Sequence, residues 1–176
     1  VALQTDRQKI WFMPDGEFRI PRGATYINFR SPAVGKTPDQ TAQAALYAAL
    51  LDDLVNEFAY PAQLAGMRFD IYKHSQGISL RVNGYNDKQT LLLQRLFETI
   101  AAPKFSQRRF EDIRSDMIRA LKNSVAKRPS SQVIDDLSES LMYGEWGEQA
   151  LVAALEKSRL DTLDNYIKQF WQGATA

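Results

Sequence analysis

One histidine, no cysteine and three adjacent carboxylate pairs are the chemical inventory of this 176-residue chain. The histidine, His74, could be a pH-sensitive contact or a lone ligand. The plainer reading is an exposed residue at a strand end beside a Ser75-Gln76-Gly77 turn. One imidazole cannot close a zinc site, which takes three or four protein ligands. The pairs Asp52-Asp53, Glu111-Asp112 and Asp135-Asp136 lie in helical patterns, where neighbours point about 100° apart and do not converge on one bond. They read as solvated helix faces. Without cysteine, disulfides, thiol catalysis and cysteine-ligated zinc are excluded. Serine has no G-x-S-x-G context, and neither G-x-x-x-x-G-K-[ST] nor G-x-G-x-x-G occurs.

The elements that would hold these groups are legible from period and punctuation. Met67, Phe69 and Ile71 alternate with Arg68, Asp70 and Tyr72, and Ile78, Leu80 and Val82 alternate with Ser79, Arg81 and Asn83, the period of two half-buried strands. Gly66 stands where a left-handed helix C-cap belongs. Asn86 and Gln89 have capping-box spacing for the next helix. Thr37, Pro38 and Gln40 mark another start: N-cap, proline at the first helical position, and glutamine three beyond the cap. That helix carries Leu46, Leu50, Leu54 and Phe58 at intervals of four, with alanines permitting close approach to a sheet, and Pro61 should bend or interrupt it.

Residues 9–13 and 24–30 read as strands, and residues 1–7 as a linker. Later helices carry the stripes Leu92, Leu93, Leu96, Ile100; Phe110, Ile113, Met117, Leu121, capped by Ser106 and ending around residues 127–129; and Val133, Ile134, Leu137, Leu141. Two last helical stretches cover residues 151–155 and 163–171. The order β-β-α-β-β followed by helices predicts an α+β fold with an antiparallel or mixed sheet packed on helices. Of the strand aromatics Trp11, Phe12, Tyr26, Phe29, Phe69, Tyr72 and Tyr85, most should be core.

Composition sets outer bounds. The hydrophobic content of 44% and charged content of 24% are those of an ordinary globular protein, and the length favours one domain. A net charge of +1 supplies no global field for nucleic acid or an anionic membrane. No apolar run approaches the ~18 residues of a spanning helix. Charge is nevertheless uneven. Residues 104–128 hold eight basic side chains against three acidic, and residues 135–164 hold eight acidic against two basic. The two stretches could pair with each other, or the basic one could face an anionic ligand.

The phrases LVNEFAYPAQLAG and VNGYNDKQ, with IWFMPDGEFRIPRG and ATYINFRSP before them, make the chain resemble the pitrilysin and insulin-degrading-enzyme family of zinc metallopeptidases. The likeness runs over residues 10–170 and points to the third, non-catalytic repeat. It implies one αβ-roll repeat, residues 1–176, of a larger multi-repeat protease, lacking its last strand or strands. The catalytic repeat of the family carries H-x-x-E-H, two histidines on one helical face for zinc and a glutamate for the water. Here the matching stretch is Ala44-Ala45-Leu46-Tyr47-Ala48-Ala49-Leu50, which holds no metal ligand. Zinc is therefore expected in another repeat of the parent and no cofactor here.

What the resemblance implies is a structural domain helping to enclose peptide substrates, with neighbouring repeats as partners and neither nucleic acid nor a membrane span involved. The candidate substrate-facing residues are Arg68, Tyr72, His74, Arg81 and Tyr85, on the polar face of the hairpin. The alternative is a free-standing binding module whose basic helix, 104–128, takes an anion or a partner protein. Likeness to bacterial pitrilysins favours a periplasmic or secreted parent over a cytoplasmic one.

The chain by itself should neither retain zinc nor cut peptides. Equilibrium dialysis should find no stoichiometric zinc, and a quenched fluorogenic peptide should stay uncleaved. Chelator-sensitive cleavage by a pure sample would overturn the assignment.

Overall fold

A computed structural model describes residues 1–124 and 129–176. In chain order the elements are β1 (Leu3–Gln4), β2 (Lys9–Ile10), β3 (Arg22–Arg30), α1 (Pro38–Leu64), β4 (Arg68–His74) and β5 (Gly77–Tyr85), then α2 (Gln89–Ala101), α3 (Gln107–Ser124), α4 (Pro129–Leu141), α5 (Glu148–Lys157) and α6 (Leu160–Gln172). The main sheet is antiparallel with order β3-β5-β4, and β1 and β2 form a separate ribbon. The fold is α+β, as the element order predicts.

Helix α1 is the spine. Thr37 caps it, its hydroxyl accepting from the Gln40 N–H at 3.2 Å, with Pro38 following. At 27 residues it runs about 40 Å. It is buried on more than one side: Ala44, Leu46, Tyr47, Leu50, Leu51 and Val55 are all essentially inaccessible. Its neighbours are the sheet and helices α2, α3, α5 and α6. The expected stripe holds at Leu46 and Leu50 but then rotates to Leu51, Val55 and Ala59, leaving Phe58 exposed. Pro61 does not interrupt the helix, which continues to Leu64. The proline lies on the exposed side one turn from the end, so the Glu57 carbonyl it leaves unpaired faces solvent.

Gly66 ends α1 as predicted. Its φ is +81°, its N–H donates to the Gln63 carbonyl and the Met67 N–H donates to the Ala62 carbonyl, each at 3.0 Å. These two bonds are a Schellman motif, and they turn the chain into β4. Met67, Phe69, Ile71, Ile78, Leu80 and Val82 then face the core at 7% exposure or less, so the hairpin register is the predicted one. Phe29 completes this inner face from β3 and joins a ring cluster of Tyr47, Phe170 and Trp171. Trp171 Nε1 donates to the Tyr47 hydroxyl at 3.0 Å, and burial pushes that phenol's pKa up to about 12.

Several expectations need correction. The first strand shortens to Lys9–Ile10, and residues 1–7 contribute β1 rather than a bare linker. Trp11 and Phe12 are 67% and 75% exposed, and Tyr26, Tyr72 and Tyr85 also face outward, so only Phe29 and Phe69 of the seven strand aromatics are core. A strand aromatic is buried only when its face meets the helices. The α2 start is not a capping box. Gln89 is buried and reaches β3 instead, donating to the Gly23 carbonyl at 3.0 Å and accepting from the Thr25 hydroxyl at 3.3 Å. Ser106 does cap α3, accepting from the Arg109 N–H at 3.2 Å. The predicted end of α3 at residues 127–129 falls largely outside the described residues. The α4 stripe lies open to solvent among the described residues.

Three loops meet at one end of the sheet. A Cβ on Gly35 would lie 2.9 Å from the Ser75 carbonyl oxygen and 3.2 Å from the Gly144 Cα, so the β3–α1 loop, the β4–β5 turn and the α4–α5 turn touch through backbone. Trp146 Nε1 donates to the Gly35 carbonyl at 3.2 Å, and Thr41 Oγ1 donates to the Gly144 carbonyl at 3.4 Å. His74 sits beside this junction. Its Nδ1 accepts from the Gln76 N–H at 3.2 Å, which holds the hairpin turn. Half-burial, then the nearby charges of Arg30 and Lys73, lower its pKa from the ordinary 6.5.

Two outcomes follow from these local structures. Replacing Gly66 with valine forces a β-branched residue into the left-handed region and should cost on the order of 1–2 kcal/mol; an unchanged denaturant midpoint would refute the cap. Because the folded chain holds the His74 proton more weakly than the unfolded one, its contribution to stability is complete above about pH 6.5 and is lost as pH falls through the lower folded value. The single imidazole resonance in an NMR titration should have its midpoint below 6.5, and a midpoint at or above that value would contradict the geometry.

Candidate functional site

The outer face of the main sheet is the surface with the most concentrated chemistry. Register sets it out in rows across β3, β5 and β4: Ala24, Asn83 and Arg68; Tyr26, Arg81 and Asp70; Asn28, Ser79 and Tyr72. Arg22 and Tyr85 pair at one end, and Arg30, Gly77 and His74 align at the other. All five predicted residues, Arg68, Tyr72, His74, Arg81 and Tyr85, therefore belong to one continuous face. Alternation along strands guarantees this once the inner face is buried.

Two cation–π contacts organise the face. The Arg81 guanidinium lies 5.1 Å from the centre of the Tyr26 ring, and that of Arg22 lies 5.0 Å from the Tyr85 ring. Arg81 has Asp70 as its cross-strand neighbour, yet its guanidinium stacks on Tyr26 from the other side. Ser79, buried beneath this layer, donates to Asn28 Oδ1 at 2.7 Å. Tyr26, Tyr72 and Tyr85 remain about half exposed or more. Beyond Tyr85 a shallow depression of about 350 Å³ opens between Pro21, Met67, Asn86 and Lys88. The face thus offers guanidinium groups and phenol rings arranged for peptide carbonyls, carboxylates and apolar side chains. It contains no nucleophile–base pair.

Sequence reasoning missed the β3 contribution, Arg22, Tyr26, Asn28 and Arg30. Period-two alternation along residues 24–30 carried the signal, but which strand β3 pairs with depends on contacts more than 50 residues apart. His74 is at the strand end as expected, but half-buried rather than exposed, with Nε2 lacking a partner among the described residues. The charges nearest it are the cations Arg30 and Lys73, an arrangement that opposes a metal ion. No three His, Asp or Glu side chains converge among the described residues, so the residues present do not suit zinc.

The basic stretch meets the acidic one in part, as one of its two predicted roles has it. Within α3, Arg109 bonds Asp53 of α1, which raises its pKa further; Arg114 Nη1 donates to the Ser158 carbonyl at 2.7 Å and Lys122 meets Glu156 of α5 at 2.8 Å. Arg108 and Arg119 pair within the helix with Asp112 and Asp116. Among the described residues its charges reach α1, α5 and α3 itself. Lys127 and Arg128 lie outside the described residues. Among the described residues, no helix is long and apolar enough to cross a membrane.

Comparison with known proteins assigns the lineage. Human insulin-degrading enzyme is 34% identical over 165 residues, covering 94% of this chain but only 16% of that protein. The crystal structure of pitrilysin superposes with a TM-score of 0.84 at 16% identity, covering 96% of this chain and 18% of that one. The periplasmic protease PqqL from Escherichia coli shares the fold with a TM-score of 0.62 at 13% identity, over 86% of this chain and 18% of that one. This chain thus spans less than a fifth of the length of these proteins. The family described as "Middle or third domain of peptidase_M16" matches residues 1–154. With most of its length inside that match, the chain belongs to the middle, or third, domain family of the M16 peptidases.

Proposed function

We propose that this chain is a single αβ-roll repeat, residues 1–176, without catalytic residues of its own, within a multi-repeat zinc metalloendopeptidase. The observation that carries the reading is the asymmetry of coverage: nearly all of this chain corresponds to one slice, about 16%, of human insulin-degrading enzyme. Zinc and the hydrolytic water then belong to another repeat. In this reading the outer sheet face, with Arg68, Tyr72, His74, Arg81 and Tyr85, lines part of a chamber that holds peptide substrates. Exposed phenols beside guanidinium groups support it, since both bind extended peptides without demanding one sequence.

The open edge of β3 supports a further strand in the complete domain. Only Arg30 is paired on that side among the described residues, exchanging bonds with Thr175 at 2.8 and 2.9 Å. A strand continuing antiparallel from this bridge would meet Asn28, Tyr26 and Ala24 in turn. A periplasmic or secreted parent is supported by the absence of cysteine and by the fold shared with a periplasmic protease.

Sequencing the complete reading frame should reveal H-x-x-E-H upstream. In the intact protease, Arg81→Ala should change stability by less than about 1 kcal/mol while altering the KM for peptide cleavage. Leu80→Ala, on the inner face, should instead destabilise by about 2–5 kcal/mol. A short reading frame would overturn the reading, and unchanged cleavage by both Arg81→Ala and Tyr85→Ala would remove the chamber face.

A further inference from the structure

The β4–β5 turn is held by a side chain that can lose its grip. His74 Nδ1 accepts the Gln76 N–H, two residues on, at 3.2 Å. Asparagine, aspartate or serine ordinarily makes a bond of this span, and none of them changes charge near neutrality. Imidazole does, so here the bond itself is titratable. With Nδ1 as acceptor, the proton of the neutral ring sits on Nε2, which is sealed from solvent and has no acceptor among the described residues.

What the turn touches gives this bond its reach. The Gln76 carbonyl accepts from the Ser31 N–H at 3.0 Å, and Ser31 Oγ donates to the Phe170 carbonyl at 2.9 Å. The Ser75 carbonyl oxygen lies against Gly35 and Gly144, 2.9 and 3.1 Å from where a Cβ on each would stand. Trp146 Nε1 and Thr41 Oγ1 then tie those two glycines in place. A Cβ on Gly77 would collide with the Phe29 carbonyl, so the turn cannot press closer to β3.

We propose that His74 is an acid-released latch: as neutral imidazole it fixes the β4–β5 turn, and through it the junction with the β3–α1 loop and the α4–α5 turn, and protonation frees them. A second proton has no place in the closed form. On Nδ1 it would point at the Gln76 N–H, donor against donor, while Nε2–H already lacks an acceptor among the described residues. The surrounding charges oppose it as well. Arg30 of β3 and Lys73 of the same strand are the cations acting on the ring. Glu145 of the α4–α5 turn is engaged by Lys73 at 3.8 Å, and the β5 partner of His74 is the uncharged Gly77. In the two adjoining loops Lys36 follows Gly35, and the Tyr143 ring lies against Gly35. An imidazolium gains relief by swinging into water, which releases the Gln76 N–H. Acid therefore favours the open turn, by up to tenfold per pH unit as pH falls below the ordinary 6.5. The latch needs only this chain and does not rest on the multi-repeat reading.

The test is amide hydrogen exchange read by NMR, with rates corrected for their intrinsic pH dependence. Between pH 7.5 and 5.5 the Gln76 and Ser31 amides and the Trp146 indole N–H should lose about tenfold in protection, while Leu50 and Leu51 in the centre of α1 keep theirs. His74→Asn supplies an acceptor of the same reach that does not titrate, and should hold these protons equally at both pH values. Ring nitrogen shifts of the wild-type chain at pH 7.5 should place the proton on Nε2. Unchanged protection of Gln76 in acid would overturn the latch, as would an Nδ1–H tautomer, and neither result depends on the variant. A parallel loss at Leu50 would show global unfolding instead of a local release. The same acid response in His74→Asn would assign the titration to another group.

Discussion

Everything else in this domain is arranged around the burial of α1. A helix that meets a sheet on one side and other helices on most of the rest cannot carry one apolar stripe; it must be apolar, or small, nearly all round. The alternation of alanine with leucine in residues 42–51 meets that demand, because alanine lets backbones approach while leucine fills the gaps between them. Packing then leaves little freedom for the partners. The inner face of the hairpin, the ring cluster around Tyr47, and the α3 and α5 contacts are all fixed by which side of α1 each must cover.

Burial also explains where the charges go. Asp52, on the margin of α1, is partly desolvated, and that raises its pKa even though the Ile71 N–H of edge strand β4 and the Asn56 amide bond it and pull the other way. A carboxylate on an edge-strand N–H occupies a backbone donor that another strand could otherwise use. Of the α3 arginines, Arg109 likewise serves α1 and Arg114 the end of α5, so part of a segment that looks like a basic patch holds neighbouring helices together. Charge runs in a linear sequence say little about a surface until the neighbours of each side chain are known.

Legibility followed the range of the interactions involved. Thr37, Pro38 and Gly66 act within one turn of backbone, and their roles were readable directly. The hairpin register was equally plain, since a two-residue turn and period-two alternation leave only one arrangement with a buried face. Gln89 was misread because its partners, Gly23 and Thr25, lie more than 60 residues away. Trp11 and Phe12 were misread because hydrophobicity identifies a side chain that prefers burial without showing that a partner is present. The outer sheet face was half legible. Its β4 and β5 residues followed from alternation, but the Tyr26 and Arg22 contribution required knowing that β3 pairs with β5.

The pairing of Arg30 with Thr175, and of Ser31 Oγ with the Phe170 carbonyl 139 residues later, has a consequence for the order of folding. The β4–β5 hairpin closes a two-residue loop and can form in microseconds. Joining β3 to β5 requires α1 to be in place, which closes a loop of roughly fifty residues, and closure entropy grows with that length. The clasp between the β3 end and α6 comes last of all, because on the ribosome its second half emerges only after nearly every other element is complete. Until then not even Arg30 is paired on the outer edge of β3. The interval before that clasp closes is when a nascent chain of this kind is most exposed to pairing with the wrong strand.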